Sequence, residues 1–133
     1  MIKILVPGIC VFGFCVGLII PAIGQETYNG ATIQALDKVT TRISTLSLVI
    51  DKPVQFGTLQ ITLKKCQKKP PEETPESAAY VEIDELFGSS QPTKRFSGWF
   101  FASSPALSAL DHPVYDFWLI DCIQPNNSAP VTK

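Results

Sequence analysis

Three serines, one histidine and three aspartates fall between residues 103 and 121: Ser103, Ser104, Ser108, Asp111, His112, Asp116 and Asp121. They are the components of a nucleophile–base–orienter set, in which imidazole takes the proton of a hydroxyl and a carboxylate fixes the imidazole tautomer. Their surroundings argue against that chemistry. No G-x-S-x-G turn presents a serine, Ser97-Gly98 sits inside an apolar run, and Pro113 holds His112 extended. A histidine so placed caps or bridges loop carbonyls more readily than it abstracts protons. A hydrolytic or glycan-modifying site using His112 with Asp111 or Asp116 is therefore a rival to a structural reading.

Aromatic residues crowd the same stretch. Trp99 and Phe101 share one parity, as do Tyr115 and Phe117, while Phe100 and Trp118 take the opposite one. One set must face the core, which leaves the other for solvent, for a sugar ring or for a partner protein. The residues expected to form a contact surface are Trp99, Ser103, Ser104, His112, Tyr115 and Trp118. Glu82 and Asp84 also share a face, but a calcium loop would need the D-x-[DN]-x-[DN]-G spacing, which is absent. They read as a solvated strand edge. Asp116 and Asp121 lie among apolar residues and need donors; Arg42 and Arg95, the two arginines, are the natural partners.

The elements that must position these groups are short and extended. FSGWFFASSPALSALDHPVYDFWLIDC, residues 96–122, reads as a closing hairpin. Strands at 93–103 and 114–123 flank a loop with one helical or 3₁₀ turn near 105–110. Upstream, strands are expected at 31–36, 39–50, 54–56, 59–64 and 79–86, with an exposed, proline-stretched loop at 67–77. Within 39–50 the apolar parity slips from Val39 and Ile43 to Leu46, Leu48 and Ile50, which suggests a bulge or bend. The fold class is all-β: a small single-domain sandwich or barrel of six to seven short strands over residues 31–123. Its core is expected to comprise Ile43, Leu59, Ile61, Val81, Ile83, Trp99, Phe101, Phe117 and Leu119.

The N-terminus reads differently. Lys3 precedes an apolar run over residues 4–20, and Ala22 and Gly24 supply the small residues of a cleavage site. Residues 1–24 are thus expected to form a helical signal peptide cut before Gln25, with a flexible leader at 25–30 and a disordered tail at 124–133. If uncleaved, the same run is an inner-membrane anchor, the only membrane contact expected. Cleavage removes Cys10 and Cys15 and leaves Cys66 and Cys122, expected to join in the oxidising periplasm or outside the cell. Such a bridge is worth roughly 4 kcal/mol on the chain-entropy model. Two distant cysteines and one histidine make no zinc site, and no cofactor is expected. The formal charge of −1 carries no basic stripe, which excludes nucleic acid as an expected partner. Lys64, Lys65, Lys68 and Lys69 are balanced at once by Glu72, Glu73 and Glu76.

The segments FGTLQITLKKC, KKPPEETPESAAYVEID and the 96–122 stretch resemble a family of exported alphaproteobacterial proteins, the domain of unknown function 2155. The resemblance spans roughly residues 31–122 and rests on the long motifs PPEE-x-PESAA and SGW-x-FASSP-x-LSAL-x-HPVYD. It implies a bacterial envelope protein with both mature cysteines present, and it carries no catalytic residues. The function expected is a non-enzymatic structural or binding role in the cell envelope, with an envelope protein, peptidoglycan or another glycan as partner.

Overall fold

The computed structural model describes residues 24–124, together with residue 8 and residues 17–21. Most of the expected signal-peptide segment, including Ala22 of its cleavage site, and nearly all of the expected tail lie outside the described residues. The described residues form eight strands: β1 (Glu26–Tyr28), β2 (Gly30–Asp37), β3 (Arg42–Val49), β4 (Val54–Phe56), β5 (Leu59–Lys68), β6 (Ser77–Glu85), β7 (Thr93–Phe101) and β8 (Tyr115–Ile123). A 3₁₀ turn, Pro105–Leu107, follows β7.

The strands make two antiparallel sheets facing one another. In the first the order is β1-β5-β6-β7, with β4 also paired to β5. Because β6 covers β5 from Leu59 to Lys68, β4 and β1 share its other edge, β4 against residues 59–61 and β1 against 66–68. The second sheet runs β3-β2-β8. Between them lies one apolar core, including Ile33, Leu48, Leu59, Ile61, Leu63, Val81, Ile83, Phe100, Phe117 and Leu119, all at most 5% exposed. Period-2 alternation is the reason: β6 buries Ala79, Val81 and Ile83 while Tyr80, Glu82 and Asp84 point outward.

Several details differ from the sequence reading. The residues read as a flexible leader contain β1, held by pairing to the long second half of β5 and by Lys68 lying 4.8 Å over the Tyr28 ring. β7 and β8 are not a hairpin; each pairs in a different sheet, and the residues between them cross from one to the other. The parity slip in residues 39–50 is not a bulge. Val39 and Thr41 belong to a turn whose amides at 39 and 40 donate to the Asp37 carboxylate, and β3 pairs with β2 without interruption. Ile43 faces solvent, 58% exposed. Trp99 and Phe101 take the outer face and Phe100 the core, because either parity of FSGWFF is aromatic and pairing chose between them. Gly98 leaves room for Phe96, whose ring packs on Phe100 at 5.1 Å.

Three bulges occur instead where periodicity gave no sign. In β5, Lys64 is the extra residue, so that Leu63 and Cys66, three apart, both face inward. In β8, Ile120 is the extra residue, and Leu119 and Cys122 both face inward. The two phase shifts bring the cysteines together in the core, where Cys66 and Cys122 are bonded and join the two sheets. The third bulge leaves Arg95 of β7 without an opposite residue on β6.

Candidate functional site

The chemistry-bearing residues of the crossing between β7 and β8 separate into two places, one closed and one open. The closed one forms at the end of the sandwich where β6 finishes. Its centre is Glu85, which lies on the inward parity of β6 and is 6% exposed. Arg95, turned aside by its bulge, donates to Glu85 Oε2 at 2.5 Å. His112, also 6% exposed, lies with Nε2 3.3 Å from Glu85 Oε1, and the Thr58 hydroxyl donates to the same oxygen at 3.3 Å.

The other ring nitrogen fixes the tautomer. The backbone N–H groups of Val114 and Tyr115 donate to His112 Nδ1 at 3.1 and 3.2 Å, so the ring proton sits on Nε2 and is donated to Glu85. Tyr115 stacks on the imidazole at 5.2 Å and meets Phe56 edge-on. Gly57, at φ +58°, holds the turn beneath; any side chain there would strike the Tyr115 hydroxyl. Burial alone would raise the Glu85 carboxyl, but the hydrogen bonds from His112 and Arg95 and the Arg95 charge outweigh it and hold the group below its ordinary value.

The open place lies on the other side of β8. Pro105, Ala106, Ala109 and Leu110 arch over Asp116, Phe117 and Trp118 and leave a groove of about 410 Å³. The Trp118 indole N–H donates to Gln34 Oε1 at 3.1 Å, which fixes the ring on the outer face of the second sheet. Lys38 bonds Asp116 at 3.1 Å and donates to the His112 carbonyl at 2.8 Å, tying the first turn of the β2–β3 connection to the start of β8.

The residues singled out from the sequence are therefore divided. His112 and Tyr115 meet in the closed cluster, and Trp118 and Asp116 line the groove. Ser103 is elsewhere: its hydroxyl and amide both donate to Glu76. Ser104 precedes the 3₁₀ turn. Trp99 packs edge-on to Tyr80 at 5.4 Å on the outer face of the first sheet. Neither aspartate proposed for His112 reaches it, since Asp111 is exposed and Asp116 belongs to Lys38. Asp121 bonds Lys68 and Ser77 rather than an arginine. Glu82 and Asp84 both face Lys94, in the middle of a sheet and not at its edge. Glu85 was the residue to notice: an acid on the inward parity of Ala79, Val81 and Ile83 must find buried donors.

Fold and site together define a two-sheet, disulfide-linked β domain with a buried Glu–His–Arg cluster and an open groove beside it. The chain belongs to the family described as uncharacterized protein conserved in bacteria (DUF2155), whose model matches residues 31–122. It is also similar to a Rickettsia prowazekii (strain Madrid E) protein described as uncharacterized protein RP359, at 31% identity over 97 residues. That match covers 73% of this chain and 63% of the relative, so the chain spans under two thirds of the relative's length. No solved structure matches the chain significantly.

Proposed function

We propose that this is an exported, non-enzymatic binding domain of the bacterial cell envelope, acting in the periplasm once residues 1–24 are removed before Gln25. The observation that carries this reading is the disulfide. Cys66 and Cys122 are at most 1% exposed and join the two sheets, and a cytosolic thiol pool opposes such a bond. The apolar run ahead of the domain supports the same compartment. The engagement of both His112 nitrogens within the fold supports a structural role for that residue over proton transfer. The groove over Trp118 is then the contact surface, with an envelope protein or a glycan as partner.

Leu18, Ile19 and Ile20 are between 82% and 95% exposed, which favours a second reading in which an uncleaved leader anchors the domain in a membrane. Among the described residues no helix is long and apolar enough to cross one. Intact mass of the protein recovered from envelope fractions, with and without reductant, tests both readings. A chain starting at Gln25 and gaining two hydrogens on reduction is expected. A chain starting at Met1 would favour the anchor, and two free thiols before reduction would overturn export.

A further inference from the structure

The groove over Trp118 runs along an open edge of the fold. β8 is the last strand of its sheet, with β2 on one side and the crossing segment on the other. In an antiparallel strand successive residues turn their N–H and C=O groups alternately toward the neighbour and away from it. The start of β8 shows which residues do which. Val114 offers its carbonyl to the Lys38 amide on the β2 side, whereas Tyr115 donates its amide to His112 Nδ1. From Tyr115 to Leu119 the register with β2 is unbroken. Phe117, two residues past Tyr115, therefore turns both backbone groups away from β2, and it lines the groove. Among the described residues no group is bonded to either. The open edge is short: the Tyr115 amide is taken by His112, and the bulge at Ile120 interrupts the ladder beyond Leu119.

We propose that the groove receives an extended peptide segment of another envelope protein, paired to Phe117 as a short added strand and carrying an apolar side chain next to a lysine or arginine. The proposal rests on the groove being the contact surface and names its occupant as peptide, not glycan. A donor and an acceptor on one strand residue are matched by the backbone of a second strand, and left unmet in an apolar groove they are costly. Pro105, Ala106, Ala109 and Leu110 offer apolar surface and no side-chain donor or acceptor, whereas a sugar needs converging polar groups to fix its hydroxyls. The polar side chains that are present are engaged, Trp118 with Gln34 and Asp116 with Lys38. Charge gives the second half of the occupant's chemistry. Residues 96–122 contain three aspartates and no lysine or arginine. Lys38 pairs with Asp116 and Lys68 with Asp121, but Asp111, exposed and next to Leu110, has no ion-pair partner among the described residues. A cation beside the apolar residue of the incoming strand complements it.

The test uses the chain as recovered from the envelope, nitrogen-labelled and with its disulfide intact. The probes are capped hexapeptides of alternating valine and threonine ending in lysine, glutamine or glutamate, with chitotetraose as the glycan. The lysine peptide should bind most tightly, and it should shift the Phe117 amide and slow its hydrogen exchange while β7 amides stay unchanged. N-methylating the peptide one residue at a time should weaken binding about tenfold or more at alternate positions, the loss expected when a paired backbone group is left unmet. Asp111→Asn should reduce the preference for lysine over glutamine by about two- to five-fold, the range for an exposed ion pair. Ala109→Trp fills the groove and should abolish peptide binding with the thermal transition unchanged. Peptides that leave Phe117 unmoved, or bind without regard to N-methylation, would overturn the proposal. Chitotetraose shifting Trp118 in place of the peptides would overturn it in favour of a glycan and keep the groove as the contact surface. Capture of envelope material equal for Ala109→Trp and the unsubstituted domain would remove the groove reading as well.

Discussion

His112 and Trp118 flank the start of β8, yet they face opposite sides of it. His112 lies inward, with both ring nitrogens engaged and 6% of its surface exposed. Trp118 lies outward, held by one hydrogen bond to Gln34 beside a groove of about 410 Å³. From residue type alone the histidine is the more reactive of the two. The difference shows that burial and partners, rather than intrinsic chemistry, decide which side chain is free to meet something else. A buried imidazole satisfied at both nitrogens fastens the crossing chain to the end of β6, and that anchor fixes the floor of the groove through Tyr115, Asp116 and Phe117.

The contrast can be broken in four ways. Glu85→Ala removes the acceptor of Arg95, His112 and Thr58 together. It is expected to lower stability by about 3 kcal/mol, in the range for breaking a buried pair from one side, read from the urea midpoint. His112→Ala orphans the amides of Val114 and Tyr115 and one Glu85 contact, with an expected loss of about 2 kcal/mol in the same measurement. Next comes acid. Because the folded state lowers the Glu85 carboxyl from its ordinary value of 4.5, its stabilisation is present above that value and fades as pH falls through and below it. The stability difference between the unsubstituted protein and Glu85→Gln should therefore narrow as pH drops from neutrality to below 4.5; a difference independent of pH would contradict the assigned ionisation. Trp118→Ala should change stability by no more than about 0.5 kcal/mol while weakening capture of envelope material by the immobilised domain. If Trp118→Ala proved more destabilising than Glu85→Ala, the division into closed anchor and open groove would be wrong.

Much of this was legible along the chain. The strands at 31–36, 54–56, 59–64, 79–86, 93–103 and 114–123 follow from alternation bounded by turn residues, and each is present within a few positions. The Cys66–Cys122 bond was expected once Cys10 and Cys15 were assigned to a signal peptide, and the two are bonded in the structure. The segment at 103–116 does hold the singled-out residues in sequence, but the fold disperses them, Ser103 to Glu76, His112 to Glu85 and Asp116 to Lys38. Three things were not legible. Glu85 as the partner of His112 required knowing that residue 112 folds back on the end of β6, 27 positions away in sequence. Phe100 rather than Trp99 as the core aromatic depended on strand pairing, since alternation leaves both parities apolar. The extra strand β1 has no pattern of its own and exists because β5 offers it an edge.

Composition, alternation and the placing of the cysteines point by themselves to an all-β domain in which Cys66 and Cys122 are the thiols to join. They act locally, through the period of two along a strand. What only the tertiary structure decided is how they meet. Leu63 and Cys66 have opposite parity, as do Leu119 and Cys122, so straight strands would turn both cysteines away from the core. Lys64 and Ile120, each forced out as an extra residue by the strand beside it, reset the phase and bring both sulfurs inside. Register is a relation between two strands, and no single stretch of sequence contains it.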